Sequence, residues 1–224
     1  MTALKLLFRR YFSHRWILLG VSVFFILMMA VVMLFHEDAG GDAADYIMCK
    51  FSTLVPMMMA VLLPTIFMVQ DTVGNRFMRS VPCAKSLYMH GIPLFSTLVP
   101  LGWSVLADTV YAAFILITGR DISNISDILL LTGIFGGIFT LVSCIVMCLR
   151  FGALFFVFFY SPFILAVTAF DSLISENGFG LPLWESALIC CGSFLAAFAA
   201  GTAFSCIAYK KGNFKETVQM QTSV

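Results

Sequence analysis

The sequence predicts an all-α polytopic membrane protein: six transmembrane helices preceded by an N-terminal amphipathic helix lying in the membrane interface. Three observations predict it. The 224 residues are 61% hydrophobic and only 11% charged, against about 25% charged in soluble domains. Too little polar surface is available to coat a water-soluble globule. The apolar residues also arrive in blocks of about 20, the length that crosses a hydrocarbon core of about 30 Å. Finally, the cations collect in alternate connections between those blocks, as a chain threading back and forth across a bilayer requires.

The elements follow in order. In residues 1–15, Leu4, Leu7, Phe8, Tyr11 and Phe12 recur at helical spacing, with Lys5, Arg9 and Arg10 largely on the other side. A helix of that pattern lies in the headgroup region. Read as the start of a signal peptide, it would need a short apolar core and a cleavage site; the block that follows is too long, and no convincing site follows it. Six blocks then predict spans at about 16–35, 51–69, 93–118, 128–149, 151–170 and 184–209, with a tight turn at Arg150 and Gly152. Residues 1–224 read as a single transmembrane domain, because no connection is long enough to fold alone.

Charge sets the expected orientation. Of the 13 basic residues, all but Lys50 and Arg120 fall on one side, from Lys5 through Arg76, Arg79 and Lys85 to Lys215. The opposite side gathers Glu37, Asp38, Asp42, Asp45, Asp121, Asp127, Asp171, Glu176 and Glu185. The excess of cations places the first set, and both termini, in the cytoplasm of a multi-pass cell-membrane protein.

Absences narrow the function. No P-loop motif occurs, so the chain is not expected to bind ATP that way. His14, His36 and His90 sit in loops or at span ends, so no buried His accompanies a nucleophilic Ser, and no H-E-x-x-H zinc site is present. The chain is read as non-catalytic, with no cofactor or metal of its own and no nucleic-acid partner. The seven cysteines contain no C-x-x-C pair, and five of them lie in apolar blocks, where a thiol serves as a small apolar side chain.

The stretch from Gln70 to Gly91, QDTVGNRFMRSVPCAKSLYMHG, carries the most information. Val73, Phe77 and Val81 recur at four-residue spacing and form a short apolar ridge. Asp71, Arg76 and Arg79 lie off that ridge, and Pro82 ends one helical turn and suits the first turn of the next. An ordinary basic connector is one reading. A docking element for a cytoplasmic partner is the other, since the loop pairs an apolar ridge with exposed cations.

Taken together, the order of parts resembles the membrane subunit of an ABC-2 type exporter. The resemblance rests on the amphipathic helix, the six spans and the loop between spans two and three. In that loop the matching residues are Asp71, Gly74, Arg76, Arg79, then Ser80-Val81-Pro82, Tyr88 and Gly91. The family often has Lys just after the last Gly; here the residue is Ile92. The resemblance implies a permease that moves an amphipathic or hydrophobic substrate (a peptide, lipid or drug) out of the cytoplasm. It implies a second copy or a similar six-span partner, and separate ABC ATPase subunits holding ATP and Mg. Asp71, Val73, Arg76, Phe77, Arg79, Val81 and Pro82 would then form the ATPase-coupling loop. Two other readings stand beside it: a six-span substrate-capture subunit of an energy-coupling importer, and a non-transport membrane immunity or scaffold protein.

Asp108 is expected about 15 Å from the outer end of its span at 1.5 Å per residue. There an Asp costs about 2.5–3.5 kcal/mol to insert. Thr97, Ser104, Asp108 and Tyr111 share a helix face. The Asp is either a hydrogen-bonded structural group or, with Ser104 and Tyr111, part of a cavity lining or subunit contact. Gly133 and Gly137, and the pairs Ala196/Ala200 and Ala197/Gly201, carry the small-residue spacing that lets helices approach closely, within the chain more readily than across a dimer.

Overall fold

The computed structural model describes residues 3–35, 82–118, 124–149 and 180–211, and every regular element among them is helical. Helix α1 spans Ala3–Tyr11 and passes through a 3-10 turn, Phe12–His14, into α2, Arg15–Phe35. A single α-turn, Ala84–Ser86, and a π-turn, Leu87–Gly91, lead into α3, Ile92–Thr118. Helix α4 is Asn124–Leu149 and α5 is Leu183–Lys211. Four of the expected blocks thus coincide with helices to within a few residues. The expected spans at 51–69 and 151–170, the turn at Arg150 and the coupling ridge Val73–Phe77–Val81 lie outside the described residues.

Among the described residues, three stretches are long and apolar enough to cross a membrane: Ala84–Ala113, Ile125–Cys148 and Leu183–Lys210. Their surroundings differ. The apolar stretch of α4 is 72% buried, whereas that of α5 is 11% buried. Among the described helices α4 is therefore the central one, and α3 and α5 pack on it. The outward surface remains apolar: Trp16, Leu19, Phe24, Leu116, Leu188 and Leu195 are all more than half exposed. Water would not tolerate so continuous an apolar surface on a monomer, and a bilayer would.

Small residues explain how α5 seats. A Cβ built on Gly133 would lie 2.3 Å from the Cα of Cys190, and one on Gly137 would lie 3.1 Å from the Ser193 carbonyl oxygen. These glycines let the two backbones approach to a distance no side chain allows. Farther along, Gly201 meets the Cys144 sulfur, and the Cys144 thiol donates to the Gly201 carbonyl at 3.4 Å. Of the two overlapping small-residue pairs on α5, Ala197 and Gly201 face inward, while Ala196 and Ala200 are exposed. At the other end, the Ser126 hydroxyl donates to the Leu181 carbonyl at 2.6 Å and lies 2.8 Å from the Ser186 hydroxyl, fixing the two helix starts together. Gly180 precedes this junction with φ of 61°, a left-handed conformation that a side chain would strain.

The helix of the third apolar block starts earlier than that block suggests. Pro93 marks the expected boundary, yet the chain is already helical from Ala84. Pro93 has no N–H to give the Met89 carbonyl, and its ring crowds that oxygen. The backbone widens by one residue instead, and the Ile92 N–H bonds the Leu87 carbonyl, the five-residue spacing of a π-turn. Polar Lys85 and Ser86 hide this helical lead-in from a reading based on apolar blocks.

Candidate functional site

Two polar constellations and one crevice lie among the described residues. The first is a joint at the end of the 70–91 loop. Tyr88 is fully buried, its carbonyl accepts a hydrogen bond from the buried Ser205 hydroxyl of α5, and its ring lies 5.7 Å from that of Tyr209. On the other side, a Cβ on Gly91 would come within 3.3 Å of the Ala3 Cβ. The π-turn thereby ties together α1, α3 and α5. Tyr88 and Gly91, which carried the resemblance at this end of the loop, are the residues that make these contacts. Pro82 lies in an exposed turn just before them. Asp71, Val73, Arg76, Phe77, Arg79 and Val81 lie outside the described residues.

The second constellation is the polar face of α3. The Ser104 hydroxyl donates to the Pro100 carbonyl at 2.7 Å, and Thr97 does the same to Pro93 at 2.8 Å. Ser104 and Tyr111 are buried and Asp108 is half-buried. The Asp108 carboxylate accepts a hydrogen bond from Thr132 of α4 at 3.1 Å. Residues 104, 108 and 111 therefore sit together on one face, as their spacing predicts, and Asp108 reaches the adjoining helix. Thr132 was not legible as the partner, because nothing in the local pattern of α3 points to a residue 24 positions on. Ser96 extends the same seam with a contact to the Met147 sulfur at 3.5 Å.

The crevice lies where α1, α2 and α3 meet. Its volume is about 300 Å³, and Phe8, Tyr11, Phe12, Leu98, Gly102 and Trp103 contribute to its walls. Helix α1 shapes it by dividing its apolar side. Ala3, Leu7 and Tyr11 are buried against the protein, while Phe8 is half-exposed and Phe12 is 58% exposed. The expected interfacial helix is thus packed on its own protein along one flank: Phe8 and Tyr11 both meet the ring of Phe95, at 5.2 and 5.6 Å. The indole N–H of Trp103 donates to the Tyr11 hydroxyl oxygen at 3.0 Å. Burial pushes the Tyr11 phenol above its ordinary value of 10.0, and the bond from Trp103 acts in the opposite sense.

Among the described residues, no group of three or more His, Cys, Asp or Glu side chains could hold a metal. Comparisons with protein-family models, with curated proteins and with solved structures find no match to this chain.

Proposed function

We propose that the chain is the membrane permease subunit of an ATP-driven exporter similar to the ABC-2 type. It would move an amphipathic or hydrophobic substrate outward, with ATP hydrolysed by a separate cytoplasmic subunit. The observation that carries this reading is the loop pattern from Asp71 to Gly91 in its place between the second and third apolar blocks. A short connector with an apolar ridge at Val73, Phe77 and Val81, flanked by Arg76 and Arg79, is suited to seat in a partner's groove.

The joint at Tyr88 and Gly91 supports the reading from the physical side. A push on the loop has to reach the spans to do work. Here the loop's end passes without a break into α3, and it is bonded to α5 through Ser205 and packed on α1 through Gly91. Such a joint passes displacement to three elements at once, because packed interfaces shift as units. In this reading both termini and the loop are cytoplasmic, two permease chains pair, and Asp108 with Ser104 and Tyr111 serves helix packing or lines the path between subunits.

Purification of the tagged chain from its own host in mild detergent tests the assignment. A P-loop ATPase should co-purify in defined stoichiometry, and its hydrolysis should respond to amphipathic compounds. Recovery of the intact membrane chain without any P-loop protein, in several detergents and in native nanodiscs, would remove the reading.

A further inference from the structure

The crevice between α1, α2 and α3 has a chemistry of its own, independent of the exporter reading. Its walls are aromatic and aliphatic apart from Gly102 and Ser22, whose hydroxyl donates to the Leu18 carbonyl, and at about 300 Å³ it stands at the small end of ligand pockets. It is continuous with the apolar outer surface, since Phe12 and Leu98 are exposed wall residues. Inside it stands one polar pair. Tyr11 accepts the Trp103 N–H, so its own O–H proton remains to be donated, and among the described residues it meets no acceptor. An apolar slot with one buried donor suits an acyl chain that carries a carbonyl near its polar end.

Charge indicates the headgroup. Lys5 and Arg9 lie one turn apart at the edge of the polar side of α1, and Phe12, in the 3-10 turn three residues after Arg9, borders that edge. Lys5 and Arg9 are exposed. Two exposed cations on the flank that leads into the crevice favour an anionic headgroup over a zwitterionic one. We infer that the crevice is a binding site for an anionic glycerophospholipid, with one acyl chain between Phe8, Phe12 and Trp103, an ester carbonyl on the Tyr11 hydroxyl, and the headgroup phosphate near Lys5 and Arg9.

Trp103 itself reports on occupancy. It is 7% exposed, whereas Trp16 and Trp184 are 74% and 63% exposed. In the full chain carrying Trp16→Phe and Trp184→Phe, Trp103 becomes the single tryptophan. That protein is placed in nanodiscs of phosphatidylcholine in which a minority of either phosphatidylglycerol or phosphatidylcholine bears dibrominated acyl chains. Brominated phosphatidylglycerol should quench Trp103 well beyond its share of the bilayer, and brominated phosphatidylcholine should not. Gly102 supplies a blocking variant that preserves the helix, because a Cβ built there meets nothing within 4 Å. Gly102→Leu should fill the slot and abolish the excess quenching, while Gly102→Ala should retain it. Tyr11→Phe should weaken binding of the brominated phosphatidylglycerol about fivefold, the loss of one hydrogen bond. Equal quenching by the two brominated lipids, quenching unchanged in Gly102→Leu, or a response to brominated free fatty acid but not to phosphatidylglycerol would each overturn the assignment.

Discussion

The close approach of α4 and α5 at Gly133 leads to a quantitative expectation. In Gly133→Ala the new methyl would sit 2.3 Å from the Cys190 Cα and 2.8 Å from its Cβ. Carbon atoms prefer about 3.5–4.0 Å, so the backbones must part by about 1 Å or more. Trimming the Cys190 side chain cannot relieve this, since the nearest atom is backbone. A gap of that size forfeits a quarter to a half of the dispersion well for each contact that opens. Overpacking of this kind costs about 1–3 kcal/mol, and Ala returns up to about 1 kcal/mol of helix propensity over Gly. With a 2.3 Å backbone contact the overpacking falls at the upper end of that range, so the net loss is about 2 kcal/mol, a factor of about 30 in the folded-to-unfolded ratio. Gly192, on the exposed face of α5 with nothing within 4 Å of its Cβ, is the internal control. Unfolding in mixed micelles by titration with a denaturing detergent measures the difference. Gly133→Ala should be the least stable and Gly137→Ala less affected. Gly201→Ala should be milder still, because it presses only on the Cys144 side chain and on no backbone atom. Gly192→Ala should match or exceed the unmodified chain. A Gly133→Ala protein as stable as Gly192→Ala would refute the packing argument.

Three further expectations concern the polar contacts and the topology. Ser205→Ala removes the hydroxyl that donates to the buried Tyr88 carbonyl and should lower stability by about 0.5–1.5 kcal/mol, read in the same unfolding assay. Asp108→Asn keeps an oxygen that accepts from Thr132, so stability and transport should be nearly unchanged if the group is structural. Loss of transport with normal assembly would instead assign Asp108 to the substrate path. In a cysteine-free background, impermeant thiol reagents added outside should label a cysteine placed at position 42 or 177, but not one at 79 or 213; labelling at 79 would reverse the orientation.

What could be read from the chain alone follows the physics of each feature. The positions of the described helices were legible because an apolar run of about 20 residues has few other uses. The lead-in from Ala84 was not, because its polar residues resemble a loop and the π-turn before Pro93 has no periodic mark. The Gly133 and Gly137 spacing announced close packing, and its partner proved to be α5 of the same chain. The register of α5 was ambiguous, since Ala196/Ala200 and Ala197/Gly201 obey the same spacing and only tertiary contact selects the second pair. Tyr11 was legible as part of an apolar stripe, but not as the acceptor of a bond from Trp103, 92 residues away. The Asp108 face was legible and its Thr132 partner was not, for the same reason: helical periodicity reports which residues share a face, and not what that face meets.

The proposed coupling loop offers the most direct test of the whole account. Phe77→Ala removes the central residue of the apolar ridge, and Arg79→Glu places a like charge against the partner's expected acidic surface. Truncation of a buried anchor commonly costs about 2 kcal/mol or more at an interface. The measurement is the affinity of the co-purifying ATPase for the solubilised permease carrying both substitutions, alongside substrate-stimulated hydrolysis. Binding should fall by about tenfold or more and stimulation should be lost, while membrane insertion and the unfolding profile stay normal. Full binding and full stimulation in the double variant would make the loop a plain connector and contradict the assignment as an ATP-driven permease.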